Sequence, residues 1–398
     1  MKSISIKTLI ALIALLLHST LASAKLDKGT VATIRALQKG QFGAAAREAN
    51  KALKEDDENI YAHGVLAIVK YLAVSKQFIA MLRSMRDDDP IKVLKALRSN
   101  YPKYDRTLAR IDKHLKNATS KKFRLIMRPS AWQFDWNSDG RFDEQDRTAL
   151  EVDHDRQWKI LPPNDPRRRP VVKFDYGDIY WARSYICFQR AFFYLLTSYS
   201  IDDASNWRSF EIPLFEIKLA NPKTVSKARR LILQGLNFAD KAREAYLAET
   251  DDDREWVPNP QQKSYGMPLT MTPDIYEKWQ AIISHIRDLV LGKTGLGLDE
   301  LYGLAPQDLH GKFKKPQGYL NIGRMLRKPK NIEINPLNIL MNAERGRMDQ
   351  VAREIFGSHY RKTMPRSPLL KLLKDLYETA GVDEKSFEQK LRYLFWLN

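Results

Sequence analysis

Between Asp135 and Asp146 the residues are spaced so that a short segment must wrap around a single point. Asp135, Asn137, Asp139, Arg141, Asp143 and Asp146 stand at positions 1, 3, 5, 7, 9 and 12 of a twelve-residue stretch, with Gly140 at position 6. Side-chain oxygens at 1, 3, 5, 9 and 12, together with the backbone carbonyl at 7, form the oxygen-rich ligand set that Ca²⁺ requires. The wrap needs a sharp turn midway, and glycine reaches the positive φ of such a turn without steric cost. Asp135, Asn137, Asp139 and Asp146 are expected to bind directly, Arg141 through its carbonyl and Asp143 through a water. A segment so committed is neither helix nor strand, so the chain is divided there.

The first 24 residues carry an address. Lys2 and Lys7 precede an apolar run from Thr8 to Leu17, and Ala22-Ser23-Ala24 offers a small-residue cleavage site before Lys25. This is the pattern of a secretory signal. The apolar run is too short to span a bilayer, so the expected mature chain is exported, to the periplasm or beyond, with no transmembrane span. Cys187 is the only cysteine. An exported chain without a disulfide can use a metal ion as its staple instead.

The formal charge of +18 becomes +16 without Lys2 and Lys7, and the segment from His310 to Asn398 holds 18 Lys/Arg against 9 Asp/Glu. Export argues against nucleic acid as the partner. A basic surface then serves solubility, or it meets an anionic envelope component or an acidic protein.

Helical periodicity dominates the rest. Five segments are expected: the signal over 1–24, an N-terminal helical segment over 25–120, the loop with its connector over 121–170, a helical core over 171–300, and a basic, loop-rich region with short helices over 301–398. Within the first helical segment, Gly40-Gln41-Phe42 is followed by Ala45, Ala49, Ala52 and Leu53, small residues that let two helices approach closely. Further helices are expected over Pro90–Ser99 and Tyr104–Lys116, entering an apolar run at Phe123–Met127 that Pro129 stops. Glu144–Trp158 is expected to leave the loop as a helix. Leu161–Pro170, with four prolines, reads as an extended, solvated connector. Helices are expected again over Tyr180–Tyr199, Val225–Ala248 and Asp274–Leu291, then over Met348–Phe356 and Ser367–Ala380. Phe210–Leu219 is a strand or an apolar loop, and Tyr393–Leu397 is an aromatic end that should be tied down. The fold class is therefore mainly α: an irregular helical array with one calcium loop and long Pro/Gly-rich loops.

Two family resemblances sit on these residues. The 40–53 piece resembles the second half of a tetratricopeptide repeat, which implies a helical hairpin of that kind near the N-terminus. The stretch Asp135-Trp136-Asn137-Ser138-Asp139-Gly140-Arg141-Phe142-Asp143-Glu144-Gln145-Asp146 resembles an EF-hand loop and, with aspartate at position 12, the dockerin-type loop of secreted bacterial proteins. That resemblance implies calcium ligation by the six positions named above. Trp136 at position 2, Phe142 at position 8 and the lack of a second loop depart from the dockerin pattern, so cohesin binding does not follow.

No zinc helix, nucleophile elbow, phosphate loop or dinucleotide fingerprint occurs at the required spacing. Asp251, Asp253 and Glu255 form a further dense acidic cluster and read as a solvated turn. His154, between Asp153 and Asp155, reads as a surface histidine, and Cys187 as an inert buried thiol. The expected function is a non-enzymatic, exported, calcium-binding interaction protein of the cell envelope, the ion acting as a structural staple. The alternative is a hydrolase of cell-wall or carbohydrate polymers with a structural calcium and an acid pair that spacing does not reveal.

Overall fold

A computed structural model describes residues 26–85, 90–136, 138–200, 215–264, 268, 271–303, 315–334, 341–342 and 345–379. The expected signal segment and the aromatic end at 393–397 lie outside them.

The chain begins with a helical hairpin. Asp27 caps α1 (Lys28–Gln38) by accepting from the Thr30 amide at 2.8 Å, satisfying a donor that the first turn leaves free. Helix α2 (Phe42–Glu55) presents Ala45, Ala49 and Ala52, all nearly inaccessible, to its neighbours. Asn59 caps α3 (Ile60–Ser84) by accepting from Ala62. Among the described residues, α3 alone is long and apolar enough to cross a membrane by length and composition.

The two helices expected between Pro90 and Lys116 are one, α4 (Pro90–Ala118), with Pro102 inside it. An interior proline costs about 3 kcal/mol. Tyr101, Tyr104, Leu108, Ile111 and Leu115 are all buried along this helix, and their packing offsets that cost.

The approach to the loop is a strand, β1 (Arg124–Met127), followed by a 3-10 turn (Pro129–Ala131). β1 pairs antiparallel with β2 (Val172–Asp175), Arg124 opposite Asp175. Helix α5 (Glu144–Ala149) leaves the loop but stops nine residues before the expected end at Trp158. Leu150 and Val152 turn into the core, and the Val152 amide donates to the Arg168 carbonyl at 2.8 Å. A helix cannot continue once its donors are taken by a neighbouring segment. The connector is likewise not free in solvent: Arg168 and Arg169 both hold the buried Glu151 carboxylate, and Arg167 holds Asp165.

Helix α6 (Tyr176–Ser198) begins four residues before the expected Tyr180, because Asp175 and Asp178 form a capping box. It packs along α7 (Pro222–Leu247), and α7 packs against α8 (Pro273–Leu291), which ends at Gly292 as expected. Of the expected 210–219 element, residues 215–219 form β4 (Phe215–Leu219) between β3 (Tyr199–Ser200) and β7 (Ile332–Ile334); residues 210–214 lie outside the described residues. The remaining elements are short: β5 (Leu296–Gly297), α9 (Leu298–Gly303), β6 (Tyr319–Leu320), α10 (Ile322–Arg327), α11 (Met348–Phe356), β8 (Tyr360–Arg361) and α12 (Leu369–Thr379).

The fold is mainly α. One apolar cluster runs from Leu37 in α1 through Leu66, Ile111 and Leu125 to Trp132 and Leu150 beside the loop, and on to Ile179 and Trp256. The acidic loop is thus anchored at both ends in the main core.

Candidate metal centre and a buried carboxylate cluster

Asp135, Asp139 and Asp146 each offer a carboxylate oxygen, and the three oxygens lie within 4.8 Å of one another. With calcium–oxygen distances of about 2.3–2.6 Å, two ligands on opposite sides of one ion are about 5 Å apart, so the three fit a single Ca²⁺. Gly140 supplies the turn at φ +87°, and Ser138 also lies in the left-handed region at +57°. Backbone amides orient the carboxylates. Asp139 and Gly140 donate to the two oxygens of Asp135, each at 3.0 Å. Trp136 donates to one oxygen of Asp146 at 2.7 Å and Asp143 to the other at 3.2 Å.

Two more of the expected ligand positions are described. Asp143 is exposed and caps α5, accepting from Gln145 at 2.8 Å. Arg141 has an exposed side chain, and its amide donates to Asp139 at 2.9 Å. Asn137 lies outside the described residues.

A cation already attends the loop. Lys76 of α3 places Nζ 2.8 Å from Asp135 Oδ2, and Arg83 lies 3.9 Å from Asp139. Burial alone would raise the Asp135 pKa, but the Lys76 ammonium and the Gly140 and Asp139 amides outweigh it and hold the carboxyl below its ordinary value. The group stays ionised and ready for a metal. Ser138 Oγ donates to the Lys76 carbonyl at 3.1 Å, so the loop is fastened to α3 by two contacts at one residue.

A second acidic group has its carboxylate oxygens equally close: Asp175, Glu249 and Glu255, also within 4.8 Å of one another. At the expected solvated turn Asp251, Asp252 and Arg254 are exposed, and the correction concerns Glu255, which is buried. Glu255 and Asp175 are each only 2% exposed, and Lys173, 1% exposed, lies 2.5 Å from Glu255 and 3.0 Å from Asp251. Pairing of β2 with β1 sets Lys173 and Asp175, and the end of α7 brings Glu249. Gly177 completes the packing. A Cβ there would sit 2.5 Å from the Tyr246 ring, and its absence lets Tyr246 donate to Asp178 Oδ1 at 2.8 Å.

One buried ammonium among several buried carboxyls leaves charge uncompensated, so protons stay on. Burial, then the bond to Asp175 and the charges of Asp175 and Glu255, push Glu249 up to about 10. Burial and Asp175 raise Asp178 well above the ordinary carboxyl range. Glu255 is raised by burial against the pull of Lys173. Glu249 keeps its proton here, whereas Asp135 in the loop stays ionised.

Sequence reasoning missed Lys173, Asp178 and Glu249 altogether. The Asp175-x-x-Asp178 capping pattern was the one local signal available. His154 is a further correction: it is buried, with Nδ1 2.8 Å from Asp153. Cys187 is buried and its thiol is pushed up to about 12, mainly by burial. His63 and His114 join α3 to α4 with ring nitrogens 3.0 Å apart. Comparison with protein families, curated proteins and solved structures yields no match.

Proposed function

We propose that the chain is an exported calcium-binding protein in which one ion at Asp135, Asp139 and Asp146, completed by Asn137, the Arg141 carbonyl and Asp143, staples the loop to the helical core. The observation that carries this reading is the convergence of three carboxylates from positions 1, 5 and 12 around Gly140. An ion there would take the place of the Lys76 ammonium at Asp135 and hold positions 1, 5 and 12 together in a loop whose flanks, Phe134 and Leu150, sit in the main core. The role is constitutive. A sensor needs two helices that reorient, and here the entering element is a strand and the leaving helix has 6 residues. The excess of basic residues supports an anionic envelope component or an acidic protein as partner.

Thermal unfolding with added Ca²⁺ against chelator tests the reading. Saturating ion at a hundredfold excess over Kd stabilises by about 2.7 kcal/mol, a rise in Tm that Asp135→Ala abolishes. No rise, or the same rise in the variant, would sink the proposal.

The second reading, a polymer hydrolase, is favoured by the raised carboxyls of Glu249 and Asp178. Against it weighs the burial of Asp175 and Glu255, which keeps a polymer chain from these groups.

A further inference from the structure

A cavity of about 370 Å³ lies between α3, α4, β1 and α6, within the size range of small-molecule sites. Along α3 its wall runs from Gly64 to Ile79 and takes in Ala67, Ile68, Tyr71, Leu72 and Ser75, residues recurring three and four apart that form one broad stripe of a helix. Fifteen residues of helix span about 22 Å at about 1.5 Å each. The space is a slot that follows α3, shaped for an extended ligand.

The wall chemistry narrows the ligand further. Among the described residues no Lys, Arg or His lines the slot, so an ionised head finds no countercharge there. Asp178 is the one acid among the described wall residues, and both its oxygens are already engaged, by the Tyr246 hydroxyl and the Asp175 amide. Burial keeps it protonated. Three donors remain: the indole Nε1 atoms of Trp132, Trp136 and Trp181 are buried without a hydrogen-bond partner, and all three side chains line the slot. Trp181 lies towards the Gly64 end, since α6 sets Gln189 on Tyr71 and Phe193 on Phe78, which leaves Trp132 and Trp136 as the pair nearest the loop. Buried donors are nearly always satisfied, so two orphans side by side in an apolar wall call for an acceptor brought from outside.

We infer that this slot binds a single long acyl chain with an uncharged carbonyl head, the chain lying along α3 and the carbonyl accepting from the indoles of Trp132 and Trp136. Trp136 follows Asp135 of the loop, and the loop's Ser138 bonds to the carbonyl of Lys76. The carbonyl head therefore belongs at the Ser75–Ile79 end of the stripe and the methyl end towards Gly64.

The test is a titration of the full chain with glycerol monoesters from octanoyl to myristoyl, below their aggregation concentrations, read by tryptophan emission. Running it in chelator keeps calcium out of the outcome. Saturable binding is expected, tightening about fourfold for each added methylene until the slot is full, with the sodium salts of the same acids weaker. Ala182→Phe, which fills the slot from α6, should weaken binding at least tenfold with far-UV dichroism unchanged. Should that variant fail to fold, the chain-length series decides alone. Affinity independent of chain length, equal binding of the anions, or undiminished binding by a folded Ala182→Phe would overturn the inference.

Discussion

The molecule holds two acidic triads of the same span that behave in opposite ways. Asp135, Asp139 and Asp146 come from one turn of chain, receive backbone amides and face a partly exposed lysine. Asp175, Glu249 and Glu255 come from segments up to 80 residues apart; Asp175 and Glu255 are buried, Glu249 is half-buried, and Glu255 pairs with Lys173, which is 1% exposed. In the first, Lys76 and the backbone amides outweigh burial and keep Asp135 ionised. In the second, burial sets the balance and Glu249 retains its proton. Proximity of acids alone does not define a cation site: what surrounds them decides whether they attract a metal or keep a proton.

The largest test of this contrast is the lysine in each group. Lys173→Ala removes a buried partner from Glu255 and is expected to lower unfolding free energy by about 3–5 kcal/mol. Lys76→Ala, whose side chain is 44% exposed, should cost at most about 1 kcal/mol. Urea unfolding at neutral pH without calcium measures both. Equal losses would mean that burial does not separate the two triads.

Their pH responses should differ in sign. The folded pKa of Asp135 is lowered, so its contribution is complete above the ordinary value of 3.8 and fades as pH falls below it. The folded pKa of Glu249 is raised from 4.5 to about 10, so its contribution is complete below 4.5 and is lost as pH rises through about 10. Stability against urea should therefore fall with rising pH across that window, and Glu249→Gln, which keeps a neutral amide in place of the protonated acid, should flatten the fall. A slope unchanged in the variant would assign it to another group.

The smallest effect concerns Lys76 as the ion's rival. Lys76→Met should tighten calcium binding about two- to fivefold, the equivalent of releasing one exposed ion pair, as read by calorimetric titration. Weaker binding in the variant would show that the lysine does not stand in for the metal.

The loop was legible because every contributor lies within twelve residues: spacing carries the geometry when the backbone alone must close the turn. The same holds for the hairpin of α1 and α2 and for the stop at Gly292. Pro102 shows the limit, since its local rule predicts a break that the packing of Tyr101, Tyr104 and Leu108 overrides. So does Glu144–Trp158, where helical periodicity yields to hydrogen bonds with the connector.

By itself, then, the sequence determined the mainly α class, the helix stop at Gly292 and the acidic turn, because each rests on interactions between residues a few positions apart. Only the tertiary structure decided that Lys173 is buried among Asp251, Glu255 and Asp175, that Gly177 admits the Tyr246 ring, and that three indoles line one apolar slot. Those features depend on segments distant along the chain meeting in a low-dielectric interior, where burial, rather than residue type, fixes charge and hydrogen bonding.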